Sequence, residues 1–132
     1  MDTTKTTNTT KKILVADDSE IVRDLLARTL RNNGYEVREC SDGEQVWNLM
    51  EQGGYQPDLC LFDINMPKCD GIELVTRLRS VDRFKNLAIL MVTAQSTPHV
   101  KEKAKLLGIR AWILKPVVPE VVLSALQRIL GA

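Results

Sequence analysis

Three carboxylates, a hydroxyl and an ammonium close four apolar runs in this chain, and they are its best candidates for chemistry. Asp17 and Asp18 follow KKILVA, Asp63 follows PDLCLF, Thr93 ends NLAILMVT, and Lys115 follows IRAWIL. Each run reads as a buried strand, and in an open parallel sheet ligands gather at the carboxyl ends of the strands. Carboxylates suit magnesium, a hard octahedral cation that keeps several of its waters. Clustered negative charges repel unless a cation sits among them. Asp17–Asp18 alone would read as a helix N-terminal cap; with Asp63 added, metal binding is the better reading. A carboxylate such as Asp63, beside a bound cation, can attack phosphorus and form an acyl phosphate. Lys115 supplies a mobile positive charge for a carboxylate or phosphoryl oxygen. Thr93 offers a hydroxyl that can donate to a phosphoryl oxygen.

The elements that must position these groups alternate strand and helix five times. After the first strand, Ser19 is the expected N-cap of a helix carrying Ile21, Val22, Leu25, Leu26 and Leu30 at helical spacing. Asn32–Asn33–Gly34 ends it. YEVREC then reads as a half-exposed edge strand. Ser41 and Glu44 read as a capping-box pair for the second helix, with Val46, Leu49 and Met50 inward and Gly53–Gly54 at its end. Asp70 and Glu73 cap a third helix with Leu74, Val75 and Leu78 buried. Thr97–Pro98 opens a fourth helix whose apolar stripe, Val100, Ala104 and Leu107, is thin. Pro119 opens a fifth, with Val122, Leu126, Ile129 and Leu130 inward. The class implied is α/β: a parallel sheet between two helix layers. Right-handed crossovers make 2-1-3-4-5 the simplest strand order, with helices on both faces. Its switch point falls between strands one and three, which end in Asp17–Asp18 and Asp63.

With 132 residues, 44% hydrophobic and 27% charged, the chain fits one globular domain. A formal net charge of +1 gives no case for nucleic-acid or membrane binding through bulk charge. The threonine-rich start, MDTTKTTNTT, has no signal-peptide core and reads as a disordered tail over residues 1–10, leaving 11–132 as the domain. That start and the prompt stop after the last helix favour a natural single-domain protein. Cys40, Cys60 and Cys69, with His99 the sole histidine, form neither a disulfide framework nor a zinc site. Cys40 and Cys60 read as small buried hydrophobes and Cys69 as a loop cysteine near Asp63 with a redox role open to it. A reduced, cytoplasmic setting is the default expectation.

VADDS, FDINMPKCDG, MVTAQ and AWILKP, in that order, resemble the receiver domain of bacterial response regulators across residues 11–130. The ordered set, with suitable strand–helix spacing, is highly specific. The resemblance implies a flavodoxin-like fold and a phosphorylatable signalling domain of a two-component system rather than an enzyme. It implies Asp63 as phosphoacceptor from a sensor histidine kinase and Asp18 as a direct magnesium ligand with Asp63 and the backbone carbonyl of Asn65. Asp17 would act on the metal mainly through water, and Thr93 and Lys115 would bind the phosphoryl group. Trp112 falls where the family carries a switch aromatic, usually Tyr or Phe, and so departs from it. Asn65 and Gln95 match positions that tune phosphoryl lifetime; neither is a strong base, so fast self-hydrolysis assisted by them is not expected. Output to a downstream protein is expected through the fourth helix, fifth strand and fifth helix, without direct contact to nucleic acid or membrane.

A haloacid-dehalogenase-like phosphatase is the alternative, since it too uses a strand-end Asp, magnesium, a hydroxyl and a lysine. It needs a second Asp two residues after the nucleophile, where this chain has Asn65. A flavin binder of the same fold would want a phosphate-cradling loop where Asp17–Asp18 stand. An EF-hand reading of DINMPKCDG fails at Pro67 and Lys68.

Overall fold

The computed structural model describes residues 10–94 and 97–131. Five parallel strands, β1 (Lys12–Ala16), β2 (Glu36–Cys40), β3 (Leu59–Phe62), β4 (Ala88–Thr93) and β5 (Ala111–Leu114), lie in the order β2-β1-β3-β4-β5. The crossover helices are α1 (Glu20–Arg31), α2 (Gly43–Glu51), α3 (Gly71–Arg79), α4 (Pro98–Leu106) and α5 (Pro119–Leu130). A short 3-10 turn at Asp82–Phe84 leads into β4.

Alternation along the central strands divides the core. Leu14, Cys60, Phe62, Ile89 and Met91 pack with the apolar faces of α2 and α3, while Ile13, Val15, Leu59, Leu61, Leu90 and Val92 pack with those of α1 and α5. β1, β3 and β4 are covered on both sides, which is why their sequences are continuous apolar runs rather than alternating ones. The 2-1-3-4-5 α/β sandwich expected from the sequence is what forms.

Three local expectations are corrected. In α1 the buried residues are Leu26, Ala27 and Leu30, with Val22 half-buried against them. Ile21 is 83% exposed and Leu25 is also exposed. Each precedes a sheet-facing position by one residue, about 100° around the helix, so both turn toward solvent. The α2 cap is Asp42, not Ser41: its Oδ1 accepts from Gln45 N at 2.8 Å, while Gln45 Oε1 accepts from Ser41 N at 2.8 Å. Gly43, the first residue of α2, lies so close to the loop before α3 that an added Cβ would stand 2.2 Å from the Cys69 carbonyl oxygen. In β2, Val37 and Cys40, three residues apart, are buried on opposite faces of the sheet, so burial in this edge strand is not confined to one face.

Cys69 is buried, as are Cys40 and Cys60. Burial pushes all three thiols up, Cys40 to about 11, which keeps them protonated and weighs against a redox role for Cys69. The expected tail over residues 1–10 lies, but for residue 10, outside the described residues, as does Gln95. Among the described residues, no helix is long and apolar enough to cross a membrane.

Candidate functional site

Sheet register brings the acids together. Ala16 pairs with Phe62, so the next residues, Asp17 and Asp63, leave neighbouring strands at the same level. Asp63 N donates to Ala16 O at 3.0 Å and locks that juxtaposition. Beyond β1 the chain bends sharply: Asp17 Oδ1 accepts from Ser19 N at 2.9 Å, and Ser19 Oγ caps α1 through Val22 N at 3.3 Å. Asp17 is therefore 1% exposed under the turn, whereas Asp18 points out into solvent. One oxygen from each of Asp17, Asp18 and Asp63 lies within 4.8 Å of the others.

The loop after β3 holds Asp63 by close backbone packing. Gly71 N donates to Ile64 O at 2.8 Å, and a Cβ on Gly71 would sit 2.3 Å from the Asp63 carbonyl oxygen. Only glycine fits there without moving the backbone of the acid. Asp70 Oδ1 caps α3 through Glu73 N at 2.8 Å, as the sequence suggests. Asn65 N faces Asp63 Oδ1 at 3.4 Å, which leaves the Asn65 residue at the rim of the acid cluster.

Opposite the acids, β4 and β5 deliver Thr93 and Lys115. Thr93 is fully buried at the end of β4, and its carbonyl accepts from Lys115 N at 3.0 Å. The Lys115–Pro116 bond is cis. Lys115 Nζ donates to Asp63 Oδ2 at 2.8 Å and lies 2.9 Å from Asp17 Oδ2. The second contact is an ion pair poorly aligned for a hydrogen bond, leaving Asp17 Oδ2 a buried oxygen without a hydrogen-bond donor. Burial works to lower the Lys115 ammonium, but its contacts with Asp63 and Asp17 outweigh this and hold it above the ordinary lysine value. Burial pushes the Asp17 carboxyl up, against the pull of Lys115.

Three carboxylates with one ammonium leave a local excess of negative charge, and the buried Asp17 Oδ2 has only the shared Lys115 ammonium as its partner. Hard oxygen donors at this spacing, one side open through Asp18, fit a divalent cation. Asp63, clustered with the other two acids and hydrogen-bonded by Lys115 Nζ, is the carboxylate best placed to become a nucleophile.

All described sequence candidates meet at this edge except Trp112, which lies further back on β5. It is half-buried, packs against the α2–α3 core, and has Lys101 Nζ 5.9 Å from its ring centroid. Beside it runs a shallow groove of about 260 Å3 between α4 and β5, lined by Lys101, Ala104, Lys105 and Ile109. One contact escaped the sequence: Arg23 Nη1 donates to the Asp17 carbonyl at 2.8 Å and its Nε lies 3.5 Å from Glu39 Oε1, tying the acidic turn to β2. The only signal for it is a basic residue one turn into α1, too common to single out.

Comparison with known proteins returns one consistent answer. The response regulator receiver domain family matches residues 13–127. Chemotaxis protein CheY1 of Helicobacter pylori is 34% identical over 121 residues, covering 91% of this chain and 97% of that protein. The transcriptional regulatory protein PhoP of Bacillus subtilis, for alkaline phosphatase synthesis, is 38% identical over 91% of this chain but only 48% of its own length. Among solved structures, the chemotaxis response regulator CheY4 of Vibrio cholerae superposes with a TM-score of 0.83 at 36% identity, covering 92% of this chain and 99% of that one.

Proposed function

The chain belongs to the response regulator receiver domain family, and from that premise we propose that Asp63 accepts a phosphoryl group with magnesium bound at Asp18, Asp63 and the backbone carbonyl of Asn65. As a receiver it is a signalling domain of a two-component system, fed by a histidine kinase and read by a downstream target, and not an enzyme in the usual sense. The phosphatase alternative finds no support. The observation that carries the proposal is Asp63 itself: a strand-end carboxylate packed with two acids and the Lys115 ammonium.

In the transfer, an Asp63 carboxylate oxygen forms a bond to phosphorus while the bond from phosphorus to the donor's leaving atom breaks. Bound magnesium would neutralise the carboxylates and polarise the phosphoryl oxygens. Asp17, deeper and held by Ser19 N and Lys115, would orient metal-bound water. Lys115 turns from the Asp63 carboxylate to the more highly charged acyl phosphate, and the Thr93 hydroxyl donates to another of its oxygens. Drawing Thr93 toward the site disturbs the packing under α4, where Trp112 lies, and this is how the site is read at a distance. α4 is suited to move, because Ala104 is its one fully buried residue. Output passes through α4, β5 and α5, whose Trp112 groove is flanked by Lys101 and Lys105 and suits an acidic partner. The setting is the cytoplasm, and the chemotaxis names of relatives matching almost end to end favour a chemotaxis-type receiver. Incubation with acetyl phosphate and magnesium should add one phosphoryl mass; Asp63→Asn gaining the same mass at the same rate would remove the assignment.

A further inference from the structure

At the opposite end of the sheet, where α4 ends and β5 begins, lies an open cavity of about 510 Å3 whose charged lining is entirely cationic. Arg79, Lys85 and Arg110 surround it, and Leu87 and Leu106 supply apolar surface. Leu106 is 84% exposed, the most exposed of the large apolar residues among those described. Among the described residues, neither Lys85 nor Arg110 lies within ion-pair distance of a carboxylate. Arg79 spends its guanidinium on backbone: Nε donates to Leu107 O and Nη1 to Phe84 O and Leu87 O, each at 2.8 Å, and Nη2 reaches Gly108 O at 3.4 Å. Its charge is thus met by carbonyl dipoles and by no carboxylate, so it adds to the positive field of the cavity.

We propose that this cavity docks an acidic segment of a partner protein, with carboxylates facing Lys85 and Arg110 and an apolar side chain covering Leu106. Unpaired surface cations alone are commonly just solvated. Here they frame a large exposed aliphatic residue beside a concave surface, and the two features together match an acidic peptide with an apolar anchor. Nucleic acid fits less well: its affinity comes from a run of phosphate contacts, and its backbone gives Leu106 nothing to bury against. With a net charge of only +1, the chain would attract this partner through the local patch and not its overall field. The cavity shares no lining residue with the Trp112 groove, so the inference concerns a second, separate docking site at the far end of α4, beyond the groove proposed above for output. An occupant would touch the end of α4 that Arg79 pins to the preceding loop.

The test is an amide-shift titration of the full chain, without phosphodonor, using a synthetic peptide of alternating glutamate and leucine and a lysine–leucine control. The acidic peptide should produce saturable shifts at residues 85–87 and 106–110, and the control none. Joint charge reversal, Lys85→Glu with Arg110→Glu, should weaken binding by about tenfold or more. Leu106→Ser, at a position too exposed to endanger folding, should weaken it as well. Shifts centred instead on Lys101, Lys105 and Trp112 would overturn the assignment, as would an unchanged affinity in Leu106→Ser. Shifts reproduced by inorganic phosphate at equal concentration would reduce the cavity to a free-anion site and also overturn it. None of these substitutions touches Asp63, so phosphorylation by acetyl phosphate should proceed unchanged, and failure here leaves the receiver reading standing.

Discussion

Lys115→Met isolates what one ammonium does among the acids. The substitution keeps most of the aliphatic stem but removes the charge that lies 2.8 Å from Asp63 and 2.9 Å from Asp17. At an effective dielectric near 20 each of these contacts is worth roughly 6 kcal/mol. The cost of holding the ammonium out of water offsets most of that gain, so a net loss of about 2 kcal/mol is expected at neutral pH in chelator. For a domain of this size that is a melting point lower by about 8 °C. Excess magnesium should raise the melting point of the variant more than that of the wild type, because the cation takes over the neutralising role. Acidification gives a second readout. Burial raises the Asp17 carboxyl in the folded state, so its protonation favours folding; that stability is full below the ordinary carboxylate value and lost as pH rises through the raised one. The deficit of the variant should therefore shrink as pH falls from neutrality toward about 4. At the alkaline end the wild type should lose stability as pH rises through the raised Lys115 value, and the variant should lack that loss. Circular-dichroism melts across pH, with chelator and with magnesium, measure all of this. A variant melting within about 2 °C of wild type in chelator, or gaining no more from magnesium, would refute the reasoning.

Asp18→Ala should weaken magnesium affinity more than Asp17→Ala, since Asp18 is the exposed, open acid; equal losses in a titration would remove the distinction. Gly71→Ala should cost about 1–3 kcal/mol by overpacking and slow phosphorylation, because its Cβ would meet the Asp63 carbonyl at 2.3 Å; denaturant melts and phosphorylation rates check both. Tryptophan emission should change on beryllofluoride binding. The change should vanish in Trp112→Phe but persist in Trp47→Phe, since Trp47 is clamped beneath Arg77 at 4.3 Å; the opposite pattern would place the switch elsewhere.

The sequence speaks clearly where burial is two-sided. β1, β3 and β4 are apolar runs with a polar residue at each end, so strand ends, strand order and the meeting of Asp17, Asp63, Thr93 and Lys115 could be argued from local pattern. What stayed hidden depends on contacts between elements distant in sequence. Gly43 at the start of α2 must be a glycine because the Cys69 carbonyl of another loop packs against it. Ile21 faces solvent because α1 is rotated to set Leu26 and Leu30 on the sheet, and spacing alone left that choice open. Arg79 reaches only backbone carbonyls, and Arg23 divides itself between the Asp17 carbonyl and Glu39; a carbonyl carries no mark in the sequence.

Reductive trapping of the acyl phosphate tests the central claim most directly. Borohydride reduces an acyl phosphate at an aspartate to homoserine and leaves free carboxylates untouched, so the modified residue can be located by peptide mass mapping. With phosphodonor and magnesium, homoserine should appear at position 63 alone, and chelator should suppress it. Homoserine at position 17 or 18, or an undiminished yield in chelator, would contradict the account.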